Sequence, residues 1–512
     1  MATEEEFSVQ MEGSPEAGYV VVARPGVVFI EARIDTDDNA TDMQQLREAL
    51  QAQLSSPKND TPIELGEDIM ADPDNSVILG TLYEKYKGII KSLKLVEYVG
   101  EKKFSIFYSL NGVNIKLQVY QLHDTELSHD ATELPEAEIN DMPHVRFEGQ
   151  WDELVFDSDV KKDLIWMMTN IGIVLHSQIT KADFPVAQII LLYGPPGTGK
   201  TSLCQGLAQK ISIRLNSSYK RTKLIQIKTA TLLSKYYSES AKQVDAIFTT
   251  IVRMCQEDPE QFVCVLIDEV ESIAFSREQG AHHGESQDSL RATNSLLTGL
   301  DRAKSCTNVI FLCTSNMLDS LDSAFLDRCG LRIAVDPPSK HSQYAILRGR
   351  IQKLIDQGYI KSERRFPSYD EASIEWKAGV GKASKHGATL LAILELFKSG
   401  KEVTSGRSLT QLPELAILRY LRWEDCTLAV ALSFMHRLVM SQHGVHVPGA
   451  RYEDVDREDK FLTASMGIEL QRHTKEVENA TDSPQAEAST AVELRGHKRN
   501  FSGINDEKRV KR

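Results

Sequence analysis

The sequence predicts an α/β protein: a parallel β-sheet flanked by helices, followed by a small helical domain and preceded by a separate α+β domain. Three observations predict it. Short apolar runs at Gln188–Tyr193, Lys223–Lys228, Val263–Asp268, Val309–Thr314 and Leu331–Asp336 alternate with helical patterns, and that alternation argues a layered α/β fold. The runs are mostly Val, Ile and Leu, the pattern of strands covered on both faces. A glycine-rich loop sits between the first run and a helical pattern over Ser202–Ile211.

Composition narrows the class. The chain has 512 residues, enough for roughly three domains of about 100–200 residues. At 41% hydrophobic and 26% charged it is ordinary for a globular protein with a core. No apolar run approaches the ~18–20 residues that span a bilayer, so no membrane partner is expected. Met1–Gln10 opens with Glu4, Glu5 and Glu6 and has no apolar stretch, which argues against a signal peptide. The seven cysteines form no C-x-x-C pair, so neither a disulfide framework nor a zinc ribbon is suggested, and a reducing compartment fits. A net charge of −14 opposes broad nucleic-acid binding, which needs clustered Lys and Arg.

Along the chain, residues 1–143 read as an N-terminal domain with its linker. Gly26–Ala32 is a predicted strand and Ser76–Leu95 reads as mostly helical. Lys102–Leu110 and Val113–Leu122 flank Asn111-Gly112, the strongest short hairpin signal. In the second segment Val113, Ile115, Leu117 and Val119 alternate with polar residues, so one face is buried. The acidic stretch Asp124–Asp141, with Pro135, reads as a linker. Residues 144–338 form the large α/β domain. Residues 339–446 are helix-rich, with Gln343–Ile355 and Leu409–Gln442 as the best helices. Residues 447–512 turn polar, and disorder is expected over 467–512.

Two motifs carry chemistry. Gly194, Pro195, Pro196, Gly197, Thr198, Gly199, Lys200 and Thr201 match G-x-x-x-x-G-K-[ST], with Ser202 following. The loop lies between a strand and a helix N-terminus, where free N–H groups and the helix dipole favour phosphate. Lys200 supplies charge to the β- and γ-phosphates, and the Thr201 hydroxyl reaches Mg²⁺. Phe262–Glu269 is an apolar strand ending in two acids. Asp268 suits the Mg²⁺ shell, and Glu269 suits a base that polarises the attacking water. Both motifs point to the C-terminal ends of strands, where ligands of such sheets collect. A third strand ends at Ser315-Asn316, whose amide could orient that water or simply cap the next turn. The implied ligand is ATP with Mg²⁺.

In this order, Gly194–Thr201, Asp268-Glu269 and Asn316 resemble the AAA+ superfamily of P-loop ATPases. Phe147–Leu215, Ser234–Phe248, Asn294–Asp301, Ser315–Arg328 and Ser405–Leu415 are similar to the pachytene checkpoint protein 2 family. The more specific pieces are Gly194–Leu203 continuing into Ala208-Gln209-Lys210, Ala324–Arg328 and Ser405–Leu409. The resemblance covers roughly residues 145–442 and leaves the N-terminal domain and residues 355–404 unmatched. It implies a homohexameric ring with a small helical lid that uses ATP to remodel HORMA-domain proteins. These belong to the meiotic chromosome axis and the spindle checkpoint, and an adaptor can deliver them. It also implies work in the nucleus on chromosomes, with a cytoplasmic pool allowed.

The resemblance carries further residues. It implies aromatic loops that grip substrate in a central pore. Tyr236 and Tyr237 precede a helix whose Val244, Ile247, Phe248, Ile251, Val252 and Cys255 form one apolar stripe, with Ser238 or Ser240 as its cap. One tyrosine gripping, Tyr236 foremost, and one packing is the expectation. Arg328 resembles the arginine finger that reaches a neighbouring subunit, with Arg332 as the alternative and a surface salt bridge as the plain reading. Arg407 resembles the second-sensor arginine, and a cation at a helix N-terminus opposes the dipole unless an anion is near. Trp151, in the segment Phe147–Trp151, sits near the adenine or in ordinary core. His282-His283 lie in a polar stretch with no metal-ligand spacing. Lys498-Arg499 and Lys508–Arg512 are candidate nuclear-localisation clusters. The alternative class is a nucleotide-dependent DNA loader, against which the net charge argues; a silent ATP-binding scaffold is opposed by the intact Lys200, Asp268 and Glu269.

Overall fold

The structure, a computed structural model, describes residues 26–35, 43–55, 62–66, 68–70, 84–86, 88–100, 107–110, 113–124, 137–177, 187–232, 240–276, 287–377, 386–398, 405–422 and 425–442. The chain divides into two compact units, Met1–Ile346 with Thr404–Thr410, and Leu347–Val403 with Gln411–Arg512. No helix among the described residues is long and apolar enough to cross a membrane.

The first unit begins with strands β1 (Val27–Ile34), β2 (Pro62–Glu64), β3 (Ile90–Val99), β4 (Phe107–Ser109) and β5 (Asn114–Gln121). β1 is central, antiparallel to β3 and parallel to β5. The helix Met43–Leu54 buries Leu46, Leu50 and Leu54, spaced at i, i+4 and i+8, in the same core as this sheet. Two expectations fail here. Ile90–Val99 is strand β3, where a helix is predicted through Leu95. Among the described residues the segments flanking Asn111-Gly112 pair elsewhere: β4 with β2 and β5 with β1. Asn111-Gly112 themselves lie outside the described residues.

The six-stranded sheet runs β11-β7-β10-β9-β8-β6. Its strands are β6 (Ala137–Met142), β7 (Ile189–Tyr193), β8 (Arg221–Ile227), β9 (Gln261–Ile267), β10 (Val309–Ser315) and β11 (Leu331–Ala334). Every pairing is parallel except β6 with β8, so the sheet is mixed rather than wholly parallel. β6 also overlaps the stretch predicted as a linker, so the sheet takes in residues before position 144.

The central strands are buried on both faces, as their apolar runs require. Val263, Val265 and Ile267 of β9 face one core with Val309, Phe311 and Cys313 of β10. Phe262, Cys264 and Leu266 face the other with Ile310 and Leu312. The helices Ser240–Glu257 and Gln287–Ala303 close the first core; Val160–His176 and Lys200–Arg214 close the second. All six predicted stripe residues of Ser240–Glu257 are buried. Ser240 is the first helical residue, and its hydroxyl donates to the Leu232 carbonyl at 2.7 Å; Ser238 lies outside the described residues.

The three-stranded sheet docks on the helices of the second core. Lys210 pairs with Glu31 at 2.8 Å and Arg214 with Glu97 at 2.7 Å. The Arg214 guanidinium lies 4.2 Å over the Phe29 ring, and Phe29 meets Trp166 edge-on with centroids 5.5 Å apart.

The second unit is helical, as predicted. Tyr369–Lys377, His386–Lys398 and Leu428–Gln442 join the distal parts of Lys340–Asp356 and Gly406–Tyr420. Leu390, Ile393, Leu394, Met435 and Val439 are buried within it.

Phe248 is 1% exposed, stacks on Phe311 with centroids 5.8 Å apart, and occupies space that a side chain at Gly299 would fill. Phe248→Ala should therefore destabilise the protein by about 3–5 kcal/mol, read as a lower urea midpoint at unchanged slope; a shift within error would mean that the pocket collapses around the gap.

Candidate active site

β7 ends at Tyr193, and the chain turns through Gly194–Gly199 into the helix Lys200–Arg214. Glycine is required at two points of this turn. Gly194 has φ +148°, and a Cβ there would lie 2.3 Å from the Val335 carbonyl oxygen. Gly197 has φ +76°, and a Cβ there would lie 2.7 Å from Ser405 Cβ. The loop wraps the Lys200 amine, which donates to the Gly194 and Pro195 carbonyls at 2.8 Å each. Burial holds that amine below the ordinary lysine value, against the pull of Glu271, Asp268 and Glu269. The lysine amine thus lies within electrostatic reach of Asp268 and Glu269.

Asp268 follows the last residue of β9. Its Oδ1 accepts the Thr201 hydroxyl at 2.7 Å and the Thr314 hydroxyl of β10, while its carbonyl accepts Thr229 Oγ1 at 2.8 Å. Glu269 has φ +51°, the only described non-glycine residue with positive φ. Such a conformation costs roughly 1–3 kcal/mol and concentrates at functional sites. It is held from both sides: the Glu269 N–H donates to Thr314 Oγ1 at 3.0 Å, and its carbonyl accepts the Ser272 N–H at 3.0 Å. The Glu269 side chain is exposed at the strand tip while Val270 is fully buried. Asn316 follows β10, and its N–H donates to Glu271 Oε1 at 3.0 Å.

Thr314, Thr229 and Glu271 were not singled out from sequence. For Thr314 a signal exists: a hydroxyl in a strand otherwise buried and apolar must find a hydrogen-bond partner. Glu271 offers none, because one more acid after Asp268-Glu269 reads as solvated charge.

Arg407 reaches the loop through its backbone: its N–H donates to the Gly197 carbonyl at 3.3 Å, and its side chain is exposed. Ser405 caps that helix by accepting the Ser408 N–H at 3.1 Å. Arg328 makes no hydrogen bond to the phosphate loop or to Asp268 and Glu269 of its own chain. It grips Asp301 with Nε and Nη2 at 3.0 and 2.7 Å, and its Nη1 donates to the Ala324 carbonyl at 2.7 Å. The hydrogen bonds from Arg328 hold the Asp301 carboxyl below its ordinary value and raise the guanidinium. Arg332 is exposed and donates to the Leu326 carbonyl at 2.5 Å. Trp151 packs on the loop's helix, its backbone 3.3 Å from where a Cβ on Gly206 would sit, which favours the core reading. Tyr236, Tyr237, His282-His283 and the basic tail clusters lie outside the described residues. Among the described residues no group of His, Cys, Asp and Glu suits a metal cluster.

A family model described as "ATPase family associated with various cellular activities (AAA)" matches residues 190–337. A second, "TRIP13-like, AAA+ ATPase lid C-terminal domain", matches residues 339–443. The pachytene checkpoint protein 2 homolog of Arabidopsis thaliana is 40% identical over 284 residues, 54% of this chain and 60% of that protein. The putative pachytene checkpoint protein 2 of Caenorhabditis elegans is 33% identical over 385 residues, 72% of this chain and 85% of that protein. The chain belongs to the pachytene checkpoint protein 2 family. The solved structure of C. elegans PCH-2 agrees: TM-score 0.62 at 27% identity, covering 81% of this chain and 99% of that one. The fold is that of an AAA+ ATPase with a helical lid.

The residues present fit a triphosphate. The glycine-lined turn leaves backbone where side chains would block it, the helix N-terminus presents free N–H groups, and the lysine amine already lies inside the loop.

Thr314 joins Asp268 to Glu269, so Thr314→Val, which keeps the volume, removes both links. Losing the bond to the Asp268 carboxylate costs about 1.5–3 kcal/mol and losing the neutral bond from the Glu269 N–H about 0.5–1.5 kcal/mol, so ATP turnover should fall at least about tenfold with nucleotide affinity little changed. Unchanged turnover in a malachite-green phosphate assay would show that Asp268 and Glu269 hold their places without it.

Proposed function

We propose that this family member hydrolyses ATP with the residues gathered at the tips of β7, β9 and β10 and uses the free energy, as a homohexameric ring, to convert HORMA-domain proteins of the meiotic chromosome axis and the spindle checkpoint. The observation that carries the reading is the convergence of Lys200, Thr201, Asp268 and Glu269 on one site. Family membership supports the ring and the client class. The same membership supports a nuclear, chromosome-associated location, with a cytoplasmic pool, and delivery of the client by an adaptor.

In this reading the Gly194–Ser202 backbone and the Lys200 amine bind the phosphates. Thr201 and Asp268 would hold Mg²⁺, which would supply charge neutralisation for the phosphoryl group being transferred. Glu269, exposed at the strand tip, takes the proton of the attacking water as the water oxygen bonds to the terminal phosphorus and the bond from that phosphorus to the departing ADP oxygen breaks. Asn316 orients that water. Arg407, whose backbone already touches the loop, senses the terminal phosphate from the lid helix. Arg328 acts on the nucleotide of a neighbouring subunit, which accords with its bonding to Asp301 rather than to the phosphate loop, Asp268 or Glu269 of its own chain. Tyr236 grips the client in the pore.

Glu269→Gln should keep ATP and the ring but stop turnover, and with ATP present it should retain HORMA-domain proteins in a pull-down. Recovery of replication clamps or DNA instead would point to a DNA loader, and normal hydrolysis would remove Glu269 from the base role.

Tyr236→Ala should leave ATP turnover within about threefold of wild type while abolishing client conversion, because a loop side chain that grips a chain adds nothing to the phosphoryl chemistry. Equal loss of both activities would assign Tyr236 to folding.

A further inference from the structure

Glu271 has no role in the scheme above, yet its surroundings are specific. It stands on the short turn Val270–Ser272, just past Asp268 and Glu269. The left-handed kink at Glu269 and the buried Val270 turn the chain back toward β10. There Glu271 Oε1 accepts the Asn316 N–H at 3.0 Å. Its Oε2 is buried without a hydrogen-bond partner. A buried carboxylate oxygen left unpaired is costly, so its one bond is made at the expense of stability.

That bond completes a two-sided hold on a single peptide group. The Ser315–Asn316 peptide offers its carbonyl to the Gly194 N–H at 3.2 Å and its N–H to Glu271. With both edges fixed, the peptide plane cannot rotate about the chain, and the Cα–Cβ bond of Asn316 leaves in one direction. The two anchors are the first residue of the phosphate loop and an acid of the β9 turn. Asn316 is thus referenced to both halves of the site. Of the three carboxylates that oppose the lowering of the Lys200 amine by burial, Glu271 acts most strongly.

We propose that Glu271 is a positioning residue of the ATPase: by locking the Ser315–Asn316 peptide against the phosphate loop, it aims the Asn316 carboxamide at the reacting water. This rests on the role proposed for Asn316, and the experiment separates the two. Full-length Asn316→Ala, Glu271→Ala, Glu271→Gln and the double Glu271→Ala/Asn316→Ala are compared for kcat and for binding of a non-hydrolysable ATP analogue. A group misplaced by about 1 Å can cost about 10²-fold, so Asn316→Ala and Glu271→Ala should each lower kcat by about 10–10²-fold with analogue affinity within about threefold. Residues that act as one unit are non-additive, so the double variant should be no slower than the slower single. Glu271→Gln keeps an oxygen acceptor at the same reach and should restore kcat to within about fivefold of wild type. If the two alanine effects multiply, if Glu271→Gln is as slow as Glu271→Ala, or if Glu271→Ala retains full kcat beside an impaired Asn316→Ala, the positioning role is wrong. Full kcat in Asn316→Ala removes the Asn316 role itself, and Glu271's with it.

Discussion

One carboxylate oxygen, Asp268 Oδ1, accepts hydroxyls from Thr201 on the phosphate-loop helix and from Thr314 on β10. Three chain segments distant in sequence meet at that atom, and strand order is what lets them. β10 is inserted between β7 and β9, so a side chain at its tip touches the acid that follows β9 while its backbone touches the loop that follows β7. Register makes the insertion productive. Cys313 lies opposite Ile267, which sets Thr314 level with Asp268; Ser315 lies opposite Tyr193, which sets its carbonyl beside Gly194. A slip of one residue would turn Thr314 to the other face of the sheet. The cores on both faces forbid that slip, because it would also exchange Phe311 and Leu312 between them.

These strands were legible in sequence because their determinants are local. A strand buried on both faces must be apolar throughout, so its end is marked by the first run of polar residues, and in a parallel sheet those ends share one edge. The phosphate loop, the acids and Asn316 follow from that logic alone. The N-terminal sheet was not legible, for reasons that can be named. β3 carries register shifts against β1 between Phe29 and Ile30 and between Arg33 and Ile34. Its buried residues therefore fall at Ile90, Leu93 and Leu95 rather than at every second position, and a three-residue gap imitates a helix. β5 pairs in parallel with β1, a partner far away in sequence, and no turn signal encodes a parallel pairing. β6 hides its strand character behind Glu138 and Asp141, tolerable because it lies at the sheet edge.

The site residues that escaped sequence reading share a property: they act through backbone groups. Thr314 accepts the Glu269 N–H, Thr229 donates to the Asp268 carbonyl, and Glu271 accepts the Asn316 N–H. These three partners are peptide groups present at every position, so no residue-type pattern marks these bonds; the further bond from the Thr314 hydroxyl to Asp268 Oδ1 joins two side chains. Their combined effect is to fix the peptide planes from which the reactive side chains depart. A preorganised site gains most when its groups need no reorientation at the moment of reaction.

The family-specific run Ala208-Gln209-Lys210 has a physical reading in the same terms, at the opposite end of the phosphate-loop helix. Gln209 accepts the His144 N–H at 2.9 Å and donates to its carbonyl at 3.2 Å, clamping the segment that leads in from β6. Lys210 and Arg214 pair with Glu31 of β1 and Glu97 of β3. Buried ion pairs contribute little net stability, because desolvation offsets most of their attraction, but removing one partner leaves an unpaired buried charge. Such pairs select an orientation more than they strengthen an interface. The 15-residue helix, about 22 Å long at ~1.5 Å per residue, thus has both ends specified: its first turn by the phosphate loop and Asp268, its last turns by carboxylates of the N-terminal sheet. A rigid element fixed at two distant ends cannot rotate at one without disturbing the other, so the N-terminal sheet and the phosphate loop share one mechanical reference.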